Sequence, residues 1–144
     1  MAAVQTDQVT VTVNGVSVTV PKGTLILDAA KKVGIDIPIF CSHPKMPPVA
    51  VCRMCLVEVE KMPKMQPACA VQVAEGMVIR TKTDPVEKYQ TGLLEFLLIN
   101  PPLDCPLCDK GGEGPLQDPT ARYATGARPY VRQTAHHNKT VPPP

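Results

Sequence analysis

Two runs of alternating apolar and hydroxyl residues, Val9-Thr-Val-Thr-Val13 and Val16-Ser-Val-Thr-Val20, flank the pair Asn14-Gly15. Alternation with period two marks a strand half-buried on one face. Asn-Gly suits a type I′ turn, because both central positions need positive φ. A two-residue loop then pairs Val13 with Val16, Val11 with Val18 and Val9 with Val20. This predicts six valines on one face and Thr and Ser on the other. Pro21-Lys22-Gly23 closes the hairpin. Thr24 reads as the N-cap of a helix through Val33 that buries Ile26, Ala29, Ala30 and Val33, with Gly34 at the C′ position. The reading is a β-hairpin with a helix packed across it.

From Asp36 to Ala50 the pattern dissolves into a Pro-rich loop, and Leu56-Val-Glu-Val-Glu60 alternates again as a strand. Residues 69–81 read as two short strands turned at Glu75-Gly76. A second helix is expected from Asp84, with Asp84 as N-cap, Pro85 first and Glu87 third, close to a capping box. Val86, Tyr89, Leu93, Phe96 and Leu97 fall on one face of it at helical spacing, and Asn100-Pro-Pro ends it. The rest, with Cys105-Pro-Leu-Cys108 and Gly111-Gly112, reads as irregular chain. Seventeen prolines among 144 residues fit that picture. The organisation expected is a domain over 7–83, a helix plus cysteine segment over 84–120, and a basic Pro-containing tail over 121–144.

Four of the six cysteines fall within one short stretch, Cys41-x10-Cys52-x2-Cys55-x13-Cys69. Iron–sulfur clusters need soft thiolate ligands, four for a two-iron core, on a loop whose backbone N–H groups can face the sulfurs. The small, Pro-rich segment 41–55 suits this, and Cys52-x-x-Cys55 can grip one metal from a single turn. Structural zinc also takes four cysteines, but its ribbons use two Cys-x-x-Cys knuckles, and this set has one. A second knuckle from Cys105 and Cys108 is separated from Cys55 by 49 residues, outside ribbon spacing. A thioredoxin-like redox pair needs a βαβ context that is missing here. A hairpin, a crossing helix and a cysteine loop before the next strand together suggest an α+β chain with a β-grasp, ferredoxin-like [2Fe–2S] domain.

Bulk properties narrow the classes further. With no Trp and only two Phe and three Tyr, the core has to be aliphatic. No apolar run approaches the ~20 residues that cross a bilayer, so no membrane insertion is expected. The N-terminus has neither a basic flank nor an apolar signal stretch. The expectation is a product that stays in a reducing compartment, where cysteines favour metal over disulfides. Residues 121–144 carry Arg122, Arg128, Arg132 and Lys139 without an acid. Four spread charges with no recognition fold beside them make no nucleic-acid site. No phosphate-cradling loop, Ser/His/Asp set or carboxylate pair is present, so no independent substrate chemistry is expected.

The flanking words carry a resemblance. Cys41-Ser-His-Pro, Val51-Cys-Arg-Met-Cys-Leu-Val-Glu-Val-Glu, Pro67-Ala-Cys and Glu75-Gly-Met-Val resemble the N-terminal part of the G-type (75 kDa) subunit of respiratory complex I, NADH:quinone oxidoreductase. The match continues through Leu94-Glu-Phe-Leu-Leu-Ile-Asn and Leu103-Asp-Cys-Pro-Leu-Cys-Asp-Lys-Gly-Gly-Glu to Leu116-Gln-Asp. The resemblance implies one [2Fe–2S] cluster on Cys41, Cys52, Cys55 and Cys69, relaying single electrons from a flavin/NADH module toward quinone. It implies as partners the flavin/NADH-binding subunit and other peripheral-arm subunits. The implied location is cytoplasmic, peripheral on the cytoplasmic face of the inner (plasma) membrane through the complex. The iron–sulfur, diaphorase-side subunit of an NAD-linked hydrogenase or formate dehydrogenase is similar in the same motifs. A zinc-stabilised, non-redox interaction module is the reading from another class.

The chain departs from the family in its second segment. There a [4Fe–4S] cluster is held by one His and three Cys. Cys105 and Cys108 match two of these ligands, while Pro101 and Gly114 stand where the histidine and the third cysteine belong. Only half the ligand set is present, so no [4Fe–4S] cluster is expected, and His136 and His137 have nothing to position them as substitutes. Among other candidates, His43 reads as a polar loop residue near the cluster rather than a Rieske-type ligand. Arg53 and Met54 serve either loop geometry or the cluster's electrostatics and docking face. Lys61, Met62, Lys64 and Met65, in Lys61-Met-Pro-Lys-Met-Gln-Pro67, read as a surface loop.

Overall fold

A computed structural model of the chain describes residues 7–99 and 105–123. Asn100, Pro101, His136, His137 and the tail beyond Tyr123 lie outside the described residues, and so do the readings that fall on them. The elements in chain order are β1 (Gln8–Val13), β2 (Val16–Pro21), α1 (Ile26–Lys32), β3 (Leu56–Val59), β4 (Gln66–Pro67), β5 (Val78–Arg80), α2 (Asp84–Ile99), a 3-10 turn (Cys105–Leu107) and α3 (Gln117–Tyr123). Two compact units divide within α2, between Gln90 and Thr91.

The first unit is an α+β fold built on the hairpin. β1 and β2 pair antiparallel with Val9 opposite Val20, Val11 opposite Val18 and Val13 opposite Val16, the register that the alternation and Asn-Gly predict. Asn14 (φ 49°) and Gly15 (φ 87°) both adopt the positive φ of the primed turn. The five-stranded sheet runs β2-β1-β5-β3-β4. β5 runs parallel to β1 and antiparallel to β3, and β3 pairs antiparallel with β4. Val11, Val13, Val20, Val57 and Ile79 pack with Ile26, Leu27, Ala29 and Ala30 of α1 in one aliphatic core. Val16, however, is 50% exposed and Val18 half-buried. β2 is the edge strand and Val16 stands at its turn end, so the valine face is covered only in part.

Several local readings are corrected. Thr24 does not cap α1: its hydroxyl turns back to donate to the Pro21 carbonyl at 2.6 Å. Leu25 occupies the N-cap position in extended conformation (φ −76°, ψ 151°) without a side-chain cap, held by a bridge to Gln72. The first amides of α1 find carbonyls elsewhere: Ile26 N–H donates to Val71 and Leu27 N–H to Ala68, each at 2.9 Å. Helix ends must satisfy such donors, and a neighbouring loop does it here in place of a hydroxyl. Of the two strands expected in 69–81, only β5 forms. The Glu75-Gly76 turn exists, with Gly76 at φ 70°, but it delivers the chain beside β1 instead of back on itself. β4 arises inside the stretch read as a surface loop.

Further corrections concern α2 and α3. Glu87 N–H donates to the Thr83 carbonyl at 2.9 Å, so Thr83 holds the N-cap position of α2, and Asp84 is the first residue inside. Asp84 and Glu87 still lie in the first turn, where the helix dipole favours acids. The buried residues are Val86, Gln90 and Leu94, whereas Tyr89 (56%) and Phe96 (72%) are exposed. The apolar residues after Gly92 surround the helix axis, so periodicity alone does not choose the inward side. α3 forms where the sequence predicts irregular chain. Its Pro119 sits in the first turn, where the missing N–H has no intrahelical partner to lose.

Ile79 is fully buried on the strand that joins β1 to β3. Ile79→Ala should lower unfolding free energy by about 2–5 kcal/mol through the cavity it leaves. Val16→Ala should cost under about 1 kcal/mol at its exposed edge position. Urea titration of the two variants beside the parent checks both values.

Candidate metal centre

The first two thiols come from irregular chain that two strained residues shape. Ala50 (φ 54°) and Arg53 (φ 60°) both adopt the left-handed region, which costs a residue with a Cβ of the order of 1 kcal/mol. They flank Val51-Cys52, so the chain reverses on either side of Cys52. Its backbone N–H then donates to the Cys41 sulfur at 3.5 Å, across a sequence gap of eleven residues. Leu56 N–H donates to the Arg53 carbonyl at 3.3 Å, which closes the Cys52–Cys55 turn onto β3. Met54, inside that turn, is completely buried and pins it from below. The alternatives for these two residues now separate: Met54 serves loop packing, while Arg53 combines a turn-forming backbone with an exposed cation.

Cys55 and Cys69 come from ordered chain and are buried. Ala68 N–H donates to the Cys55 carbonyl at 3.0 Å, alongside the pairing of Leu56 with Pro67. Ala70 and Val71 both donate to the Pro67 carbonyl, which coils residues 67–71 into a turn. The Ala68 and Val71 carbonyls accept the first amides of α1, so Cys69 is suspended between the β3–β4 pair and the N-terminus of α1. No residue-type signal in the sequence announces this link, nor the positive φ at Ala50.

The electrostatics of the thiols reflect these placements. Burial pushes the Cys69 thiol up to about 12, reinforced by a hydrogen bond with Cys55 and by the charges of Cys55, Cys41 and Cys52. Burial also raises the Cys41 thiol. Hydrogen bonds from the Cys52 amide, the Cys52 side chain and the amides of Val51 and of Cys41 itself outweigh it and hold this thiol below its ordinary value. Of the four cysteines singled out from the sequence, Cys41, Cys52 and Cys55 each act electrostatically on Cys69, and Cys52 meets Cys41 through its amide. Among the described residues, no three His, Cys, Asp or Glu side chains converge as the ligands of a single metal ion. Burial that disfavours a charged thiolate at Cys69 would be offset by a cationic centre bound to its sulfur. A sulfur that accepts backbone N–H groups is the setting in which a thiophilic iron–sulfur core is held.

The remaining candidates lie apart. His43 is exposed and its Nδ1 accepts the Lys45 N–H at 3.2 Å, so its ring organises the local turn. Cys105 and Cys108 belong to the second unit, are exposed, and sit at and just after the 3-10 turn.

A thiol whose folded pKa lies above its unfolded value of 9.0 adds stability that is complete below that value and is lost as pH rises through the folded one. The metal-free chain should therefore lose stability between pH 9 and about 12 through Cys69. Urea midpoints across that window, compared with those of Cys69→Ala, should show a shallower decline in the variant.

Comparison with known proteins bears on both units. A family model described as the 2Fe-2S iron-sulfur cluster binding domain matches residues 6–84. A second, described as the NADH-ubiquinone oxidoreductase-G iron-sulfur binding region, matches residues 90–128. The G-type subunit of the NADH-quinone oxidoreductase of Streptomyces coelicolor is 46% identical over 138 residues, 94% of this chain and 16% of that protein. The NADH-ubiquinone oxidoreductase 75 kDa subunit of Reclinomonas americana is 54% identical over 117 residues, 81% of this chain and 17% of that protein. The chain thus spans about a sixth of the length of these relatives. Among solved structures, a chain of NAD+-reducing [NiFe]-hydrogenase in the H2-reduced state superposes with a TM-score of 0.79 at 28% identity. That superposition covers 89% of this chain and 54% of the other.

Proposed function

Because the chain belongs to the family of 2Fe-2S iron–sulfur cluster binding domains, we propose that Cys41, Cys52, Cys55 and Cys69 hold one [2Fe–2S] cluster and that the chain serves as a one-electron carrier. The observation that carries the ligand set is the Cys52 amide aimed at the Cys41 sulfur, in a loop tied through Cys55 to the turn of Cys69. When bound, the cluster supplies reversible one-electron oxidation and reduction. The residues of the chain do the rest. Positive φ at Ala50 and Arg53 turns amides toward sulfur, the buried Met54 and Cys69 keep water from one side, and Arg53 leaves a cation at the exposed rim.

The setting that the relatives favour is the NADH-oxidising arm of an NADH:quinone oxidoreductase. The cluster would there relay electrons from the flavin/NADH-binding subunit toward quinone, alongside other peripheral-arm subunits. Identities of 46% and 54% to subunits so named support it. No helix among the described residues is long and apolar enough to cross a membrane. A place on the cytoplasmic membrane face would thus come through partner subunits. The hydrogenase superposition supports a second reading, the diaphorase side of an NAD-linked hydrogenase, at the lower identity of 28%.

The second segment matches an iron–sulfur binding region by its overall pattern, yet Pro101 and Gly114 replace two of the four ligands. Proline and glycine have no donor atom on the side chain, so the proposal is one cluster per chain and no [4Fe–4S] centre.

Anaerobically purified or reconstituted protein should contain about two irons and two acid-labile sulfides per chain. Cys41→Ser should abolish the visible absorption, while Cys105→Ser should leave it intact. Stoichiometric zinc without labile sulfide would replace the electron-carrier reading with a zinc-stabilised interaction module. Bleaching by Cys105→Ser would overturn the ligand assignment.

A further inference from the structure

The two cysteines left over from the cluster are arranged as a pair. Cys105 opens the 3-10 turn Cys105–Leu107, and Cys108 N–H donates to the Cys105 carbonyl at 3.3 Å, which closes it. In such a turn the first and fourth Cα atoms lie under about 7 Å apart. Side chains three apart on a 3-10 helix eclipse one another, and Cys108 directly follows the turn that Cys105 opens, so the backbone favours both side chains on one side. A disulfide spans Cα separations of about 4.4–6.8 Å. Pro106 at the second position fixes φ for this turn, and both thiols are exposed.

Among the described residues, three amides beside the pair are committed to oxygens rather than to sulfur. Cys108 N–H is committed to the Cys105 carbonyl, Gly111 N–H to the Cys108 carbonyl at 2.9 Å, and Gly112 N–H to Gln117 Oε1 at 2.7 Å. Gly111 lies so close that a Cβ there would stand 3.0 Å from the Cys105 carbonyl oxygen and 3.2 Å from that of Cys108. These three amides lock a compact turn in place of facing a metal–sulfur core. Cys41 is the contrast, for its sulfur accepts the Cys52 amide.

From these placements we infer that Cys105 and Cys108 form a redox-active dithiol that converts reversibly to an intrachain disulfide by exchange with a low-molecular-weight disulfide. One cysteine thiolate attacks the external disulfide, whose S–S bond breaks and releases one small thiolate. The second cysteine thiolate then attacks the mixed disulfide. The protein S–S bond forms and a second small thiolate leaves. The two cysteine sulfurs lose two electrons, the external disulfide gains them, and the two protons pass to the released thiols. Because the turn is already closed, the second step is intramolecular and outruns exchange of the second cysteine with another external disulfide. Disulfides of this kind in reducing compartments are transient and redox-sensing. The inference rests on the reading that this segment holds no [4Fe–4S] cluster.

The full chain, reconstituted with iron and sulfide, is exposed to oxidised glutathione without oxygen, alkylated and mapped by peptide mass spectrometry. The result expected is a Cys105–Cys108 disulfide, with the loss of two hydrogens and no retained glutathione. The visible cluster absorption should be unchanged, and Cys108→Ser should stop at one glutathione on Cys105. Glutathione held on both cysteines of the parent chain, or two unreacted thiols, would overturn the inference. Iron content separates the two readings. About two irons per chain without a disulfide removes this inference alone, whereas four further irons that protect Cys105 and Cys108 from alkylation remove both.

Discussion

The amide groups at the start of α1 tie the structure together. Ile26 and Leu27 donate to Val71 and Ala68, and the same Ala68 donates to Cys55. Three hydrogen bonds thus connect a helix terminus, the turn that carries Cys69 and the end of the Cys52–Cys55 turn. Buried donors at a helix end need partners, and leaving one unmet costs about 1–3 kcal/mol. The helix can pack on the valine face only if the 67–71 turn is in place, and that turn is held by the β3–β4 pair. The core and the thiol site therefore form together.

The remaining part of the site is set by local backbone strain. Positive φ at Ala50 and Arg53 is tolerated because buried neighbours determine the path of the chain. Met54 and Cys55 are almost wholly buried, and Leu56 enters β3 directly. Strain of this kind gathers where a chain must present amides in an unusual direction. Here the direction is toward the Cys41 sulfur. The second segment shows the opposite use of similar residues. Its amides close turns on carbonyls, and its cysteines are left exposed at the surface. A shared cysteine spacing does not by itself create the same electrostatic setting.

Much of the fold is legible in the residues. The hairpin and its register follow from alternation and Asn-Gly, since strand periodicity and turn chemistry are both local. The span of α2 and the approximate span of α1 follow for the same reason. Cap positions do not, because Thr24 has a nearer acceptor in Pro21 and α1 finds its partners in a loop more than forty residues away. The inward face of α2 escapes the pattern because Phe96 and Leu97 obey helical periodicity as well as Leu94 does. α3 escapes it because a proline breaks a helix only beyond the first turn, and its place in the turn is set by where the helix starts.

By itself the sequence determined the alternating strands, the positive-φ turn and the identity of the four grouped thiols, because each depends only on residue type and short spacing. Tertiary structure alone decided that β5 runs beside β1, that the turn of Cys69 hangs from the N-terminus of α1, and that Cys41 meets an amide while Cys105 and Cys108 meet none among the described residues. Those outcomes depend on which distant carbonyls and amides meet once the core closes. That pairing of groups is a property of the folded chain and is written in no single stretch of it.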